Sequence, residues 1–314
     1  MGLTGEDTRL RNWARNSRLG PPGSVVAPAT EAELCEFLST SDGRVRMIGS
    51  RMSPGRMIEV ADGAGTLLDL SRLSGLISST DDTVTFAGST SLAEVYAFLT
   101  ARGQMLDASP GVIAEQTLAG ALSTGTHGQG LQQSSIDGAA LAIRMVLADG
   151  RVAEFDHDHP DFPAVQLGLG SLGVITAVTL RARESMIYTC VKKAVDAGTL
   201  ERDLETWNRE NILVKAWWFP QENQVQVWTA NEATDDEVSR YRAGGSQLVE
   251  YATTDTSMNS TIESTLQHLR DDSKGVADNG KSLRTVSRFR DFTDVTGDIY
   301  QVFCKGIATP QINV

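Results

Sequence analysis

Cysteine is scarce in this chain of 314 residues: Cys35, Cys190 and Cys304 are odd in number and far apart. That excludes a disulfide frame or a cysteine-built metal site, and the three read as reduced thiols of a cytosol-like compartment, so a cytoplasmic location is expected. Histidine is equally sparse, with four residues. His157 and His159, in FDHDHP, stand in a Pro-ended turn with no third ligand at a spacing zinc would need, so no metal is expected. Basic residues are outnumbered, since 28 Lys and Arg against 40 Asp and Glu leave a net charge of −12. Nucleic acid is therefore not an expected partner, because duplex binding leans on cations that neutralise phosphates. No run of eighteen apolar residues exists, so no transmembrane segment is expected. The opening MGLTGEDTRLRNW has no apolar centre of the signal-peptide kind.

What is present, 40% hydrophobic and 22% charged residues, is ordinary globular composition at a length that accommodates two domains. The first half alternates short strands and helices. Thr30 and Glu33 form a capping box opening a helix through EAELCEFLS, and Ser91 with Glu94 opens a second helix that Gly103 closes. VRMI (45–48), TLLDL (66–70), TVTFAG (83–88) and VITAVTLRA (174–182) read as strands, with a Ser/Asp-rich turn after TLLDL. LAIRMVLADGRVAEF reads as a hairpin with a two-residue turn at Asp149–Gly150. Composition shifts near Arg183–Glu184. Beyond lie a strand around MIYTCV, a polar helix near 195–210, and VKAWWFP and QVQVWTA as paired strands carrying Trp217, Trp218, Phe219 and Trp228. The stretch 231–285 is acidic, with helical character around STIESTLQHLRDD. The end, DIYQVFCKGIATPQINV, has strand character, and a chain stopping there lacks the next pairing partner, so the second domain reads as incomplete.

Two small-residue loops invite a chemical reading. In ALSTGTHGQG (121–130) only Leu122, His127 and Gln129 carry sizeable side chains, which lets a ligand approach the backbone and leaves N–H groups for an anion such as a pyrophosphate. An ordinary surface loop is the alternative. GSRMSPG (49–55) follows a strand and supplies a tight turn, a hydroxyl and Arg51 as a nearby cation, a plausible second half of a diphosphate clamp. GLGSLG, with Gly168, Gly170 and Gly173, spells the dinucleotide-binding pattern literally. That pattern must open a helix, however, and here the strand VITAVTL follows, so the reading is rejected.

The order and wording of these blocks resemble the FAD-linked oxidases of the vanillyl-alcohol oxidase type, and within them the sugar-1,4-lactone oxidases (arabinonolactone and gulonolactone oxidases) and the alditol oxidases. RNWARN resembles the opening block, VRMIGSRMSP the first pyrophosphate loop and GVIAEQTLAGALSTGTHGQG the second. GLGSLGVITAVTLR is similar to the close of the flavin domain, and KAWWFPQENQVQVW to the strand pair opening the substrate domain. The resemblance implies an α+β protein: a two-subdomain PCMH-type FAD-binding domain over 1–183, then an incomplete α+β substrate (cap) domain over 184–314.

By the same resemblance Gly49, Ser50, Arg51, Met52 and Ser53 would wrap the pyrophosphate and the flavin side. Thr117, Gly120, Ala121, Leu122 and Ser123, continuing into Thr124, Gly125 and His127, would line pyrophosphate and isoalloxazine, and the Ile175 backbone would meet the adenine. Many members carry a flavin-bonded histidine where Met52 stands, so the FAD is expected to be non-covalent. Val112 stands where relatives more often have serine. The family's late histidine and lysine near the flavin have no counterpart before Val314, so no catalytic residue is assigned. The implied reaction is oxidation of an alcohol carbon of a sugar-1,4-lactone or polyol, with hydride passing to flavin N5 and molecular oxygen as acceptor. A dehydrogenase using another electron acceptor, a flavin-binding remnant without catalysis, and a nucleotide-binding module unrelated to flavin remain alternatives.

Overall fold

The computed structural model describes residues 10–12, 17–21, 23–53, 56–60, 65–108, 115–131, 133–220, 223–244 and 295–298. The described residues up to His127 and from Ser134 to Glu184 make one compact unit, and Gly128–Gln133 with those from Ser185 onward make another.

The first unit begins with β1 (Val25–Val26), α1 (Glu31–Thr40), β2 (Arg44–Ile48) and β3 (Gly65–Asp69), whose strands form a parallel sheet in the order β1-β3-β2. Thr30 caps α1, its hydroxyl accepting the Glu33 N–H at 3.1 Å. The expected box is modified: the Glu33 carboxylate reaches past the cap to accept the Ala29 N–H at 2.7 Å. Leu34 and Leu38, one helical turn apart, are buried against Leu68 and Leu70 and also against Val146 and Val174.

Those last two valines belong to the second sheet. It comprises β4 (Leu76–Ser79), β5 (Thr83–Ala87), β7 (Ala140–Val146), β8 (Val152–Asp156) and β9 (Val174–Arg181), antiparallel throughout in the order β4-β5-β9-β7-β8. Between its strands run α2 (Leu92–Ala101), the short β6 (Gln104–Met105), α3 (Leu118–Ser123) and α4 (Phe162–Gln166). β10 (Arg183–Glu184) pairs with β6. α2 carries the complete Ser91–Glu94 capping box and ends before Gly103, whose φ is +65°.

Two expectations are corrected. Leu76–Ser79, read as turn, is an exposed edge strand whose short, serine-ended sequence hides its pairing with β5. The β7–β8 turn has three residues: the Leu147 N–H meets the Arg151 carbonyl at 2.8 Å and the Gly150 N–H the Leu147 carbonyl at 2.9 Å. Gly150, at φ +82°, fills the left-handed place of such a loop.

The second unit is an antiparallel sheet, β12-β13-β11-β14, built from β11 (Ile187–Val195), β12 (Leu213–Phe219), β13 (Gln224–Glu232) and β14 (Val295–Asp298). α5 (Ala197–Glu210) covers one face, packing Trp207 and Leu200 on Val195, Val214, Val225 and Val227. α6 (Asp235–Gly244) follows β13. Trp217 and Trp228 meet edge to face at 5.0 Å, with the Lys215 ammonium 4.9 Å from the Trp228 ring. STIESTLQHLRDD, and all but Asp298 of the final apolar run, lie outside the described residues, as does Cys304. No helix among the described residues is long and apolar enough to cross a membrane.

One ion-pair group ties α1 to the second sheet. The Arg144 guanidinium donates Nε to Glu31 Oε2 at 3.0 Å and Nη2 to Glu31 Oε1 at 2.8 Å, and it also pairs with Glu154. The Thr176 hydroxyl donates to Glu31 Oε2 at 2.8 Å. The hydrogen-bonded guanidinium, with help from Thr176, holds the Glu31 carboxyl below its usual 4.5. Because the folded value is the depressed one, this stabilisation is present above the unfolded pKa and is lost as pH falls through the folded one. In urea unfolding of the parent and Glu31→Gln chains between about pH 6 and pH 3, the parent's advantage should shrink toward the acid end. A pH-independent difference would contradict this.

Candidate functional site

At the end of β2 the chain turns sharply. A Cβ on Gly49 would lie 2.6 Å from Thr117 Oγ1, and the Ser50 hydroxyl donates to the Glu115 carbonyl. Gly49 and Ser50 therefore touch the N-terminal side of α3, although Gly49 and Thr117 are far apart in sequence. Arg51 adopts φ +60°, a conformation that costs a non-glycine residue about 1 kcal/mol and that lets successive amides converge on one point. The backbone N–H groups of Ser50, Met52 and Ser53 have no partner among the described residues. The Ser53 carbonyl accepts from Asn12 Nδ2 at 3.3 Å, which anchors the far side of the loop. Met52 is half-buried.

The second segment is not the bare loop its composition describes. Residues 118–123 form α3, with Leu118, Ala121 and Leu122 buried. Thr117 is its N-cap and accepts the Gly120 N–H at 3.3 Å. The Leu118 N–H meets the Thr90 carbonyl and the Ala119 N–H the Gly88 carbonyl, both at 2.8 Å. The first-turn amides are thus already satisfied, so any anion here meets the amides of the β2 loop rather than a helix end. Beyond Ser123 the small residues have a local cause. Thr126 N–H reaches the Ala121 carbonyl at 2.9 Å and Gly125 N–H the Leu122 carbonyl at 3.1 Å, with Gly125 at φ +61°. That is a glycine helix stop of the Schellman kind, which Thr124 completes by donating its hydroxyl to the Gly120 carbonyl at 2.9 Å.

Ile175 lies behind α3. A Cβ on Gly88 would stand 2.5 Å from the Ile175 carbonyl and 3.1 Å from the Ala119 side chain, so only glycine lets β9, the end of β5 and α3 meet. The turn containing Gly168 and Gly170 approaches from the other end of α3, its Leu169 N–H meeting the Ser123 carbonyl at 3.2 Å. It runs into β9, a strand. His127 is exposed and is the last residue of this unit before the chain passes to the other. Val112 lies outside the described residues.

The structure therefore brings Gly49, Ser50, Thr117 and Gly120 together, and links Ile175 to them through Gly88 and Ala119. Sequence reasoning passed over Gly88 and Thr90, which present α3 with its acceptors; their only signal was a small-residue turn after TVTFAG. His157 and His159 stand apart, with the His159 Nδ1 accepting the Asp161 N–H at 3.1 Å. The donor set fits a diphosphate-bearing group: amides with no partner among the described residues in a left-handed turn, and backbone left bare by glycine beside them.

Comparison with known proteins gives two family matches, the FAD binding domain over residues 22–156 and the D-arabinono-1,4-lactone oxidase family over residues 178–314. The chain is 27% identical over 230 residues to a D-arabinono-1,4-lactone oxidase of Eremothecium gossypii, covering 70% of this chain and 42% of that protein. It is 30% identical over 175 residues to an L-gulono-1,4-lactone dehydrogenase of Mycobacterium tuberculosis, covering 54% of this chain and 40% of that one. The aligned region thus spans less than half the length of either relative. In fold it is similar to a solvent-stable cholesterol oxidase, with a TM-score of 0.70 at 17% identity over 96% of this chain and 62% of the other.

The Gly49–Thr117 contact yields a thermodynamic cycle. Gly49→Ala should destabilise by about 1–3 kcal/mol through overpacking, and Thr117→Ala by about 1 kcal/mol through loss of the cap. Removing the threonine hydroxyl and methyl makes room for the new Cβ, so the double variant should lose less than the two together. Urea denaturation of the four proteins checks this, and strict additivity would show that the two residues do not touch.

Proposed function

Because the chain belongs to the FAD-linked oxidoreductases that join an FAD-binding domain to a D-arabinono-1,4-lactone oxidase domain, we propose that it binds FAD and oxidises an alcohol carbon of a sugar-1,4-lactone or polyol. The observation that carries the cofactor reading is the meeting of Gly49 and Ser50 with Thr117 and Glu115. It makes one place out of two loops that the resemblance assigns to one diphosphate.

In this reading the amides of Ser50, Met52 and Ser53 receive the diphosphate oxygens, and Gly49 and Gly120 keep the backbone bare where the cofactor passes. The Ile175 backbone meets the adenine. Ser123, Thr124, Gly125 and His127 carry the lining toward the isoalloxazine, with the packed side chains of Ala121 and Leu122 fixing its floor. Bound FAD supplies the two-electron acceptor for the alcohol carbon. Met52 offers a thioether where a covalent link would need a nucleophilic ring nitrogen, so retention rests on the hydrogen-bond clamp alone.

The lactone class is supported by the match over residues 178–314. Oxygen as acceptor follows the oxidase relative, and the dehydrogenase relative favours a second reading in which another acceptor takes the electrons. Purified chain supplied with FAD should show a flavin spectrum, and acid precipitation should release all of the colour into the supernatant. Colour held in the pellet would overturn the non-covalent reading. On a panel of aldonolactones and alditols, peroxide formation supports the oxidase, and dye reduction without peroxide supports the dehydrogenase. A flat response to both from flavin-loaded protein would overturn the catalytic reading.

A further inference from the structure

The ion-pair group at Glu31 sits at an irregularity in the sheet. Along β7, Arg144 faces Ala177 and the next residue, Met145, faces Ile175, so Thr176 is left over as a bulge in β9. Such a residue needs another partner to hold its geometry. Thr176, a residue 8% exposed, finds it through its hydroxyl in Glu31 at 2.8 Å, with the same oxygen 3.3 Å from the Arg144 carbonyl. The main chain on either side is equally committed. The Thr176 carbonyl accepts the Gly88 N–H at 2.9 Å, and the Ile175 carbonyl lies against Gly88.

Glu31 is the first residue of α1, the helix leading into β2 and its terminal loop. The bulge beside Ile175 is therefore fastened to the same subdomain that carries Gly49–Ser53. We propose that Glu31, Arg144 and Thr176 are positioning residues that set the Ile175 backbone, and with it the adenine subsite, against the diphosphate loop. This rests on the FAD reading above. The Arg144 guanidinium is hydrogen-bonded to Glu31 and Glu154 and serves to fix the Glu31 carboxylate toward Thr176.

A general loosening of the fold would weaken every ligand alike. A displaced Ile175 would weaken only ligands that carry the adenine, and that difference is the test. Dissociation constants for FAD, FMN and ADP are measured by titration calorimetry on the parent chain, Thr176→Val, Glu31→Gln and Thr176→Ser. In the Val and Gln variants the displaced Ile175 backbone should weaken FAD and ADP on the order of tenfold, while FMN stays unchanged. Thr176→Ser keeps the hydroxyl and should match the parent. Equal weakening of all three ligands, or no change in any, would overturn the positioning role. A parent chain that binds FMN and ADP but gains nothing from their union in FAD would overturn it too. A parent that binds none of them would overturn the cofactor reading itself, and the role of Ile175 with it.

Discussion

The first turn of α3 is the constraint on which the candidate site depends. Six residues make too short a helix to stand on its own propensity, so its direction is imposed by what receives its amides. Those acceptors are the Thr90 and Gly88 carbonyls and the Thr117 hydroxyl. The two carbonyls tie α3 to the turn after β5, and the hydroxyl is the helix's own cap. Gly88 lies between the β9 backbone and the Ala119 side chain, and Gly49 lies against the Thr117 side chain. A methyl group at either glycine would push apart the elements it separates. The bare backbone of this region thus serves contact within the protein, and the amides of Ser50, Met52 and Ser53 are what those contacts leave without a partner among the described residues.

Much of this arrangement was legible from local chemistry. The Ser91–Glu94 box, the Gly103 stop and the Trp-bearing strand pair follow from spacing alone, because each is settled within a few residues. GLGSLG was readable as no nucleotide loop because the strand after it was visible in its β-branched residues. The failures have a common cause. Leu76–Ser79 is a strand only because β5 lies beside it, and an exposed edge has no apolar alternation to declare it. Residues 118–123 are helical only because Gly88 and Thr90 receive their amides, a long-range fact absent from the run itself. The composition of ALSTGTHGQG also carried two signals at once, a Schellman stop at Gly125 and a lining for a ligand, and composition cannot separate them.

The pairing of Glu31 with Thr176 is a further example of structure hidden from local reading. Thr176 sits in VITAVTL as one more β-branched strand residue, and nothing in the run marks it as the extra residue of a bulge. Glu31 reads as a first-turn acid stabilised by the helix dipole, which it also is. The register of β7 against β9 makes Thr176 the extra residue, and α1, packing Leu34 and Leu38 with Val146 and Val174, brings Glu31 to it. A hydrophobic contact and a polar clasp thus hold α1 on the second sheet side by side.

Charge bears on how such a site retains its ligand. A chain at −12 repels a diphosphate at long range, and at physiological salt that repulsion fades beyond about 8 Å. Attraction must therefore be short-ranged, built from amide dipoles that act only at contact. Backbone N–H groups suit this because they add no net charge and are fixed before the ligand arrives. Their direction is held by Arg51 in a left-handed conformation, which a flexible loop would relax and which the anchors at Ser50 and Ser53 prevent. The strain at Arg51 is thus held in place by its neighbours, so that under the reading proposed above the loop would be set before an anion arrives.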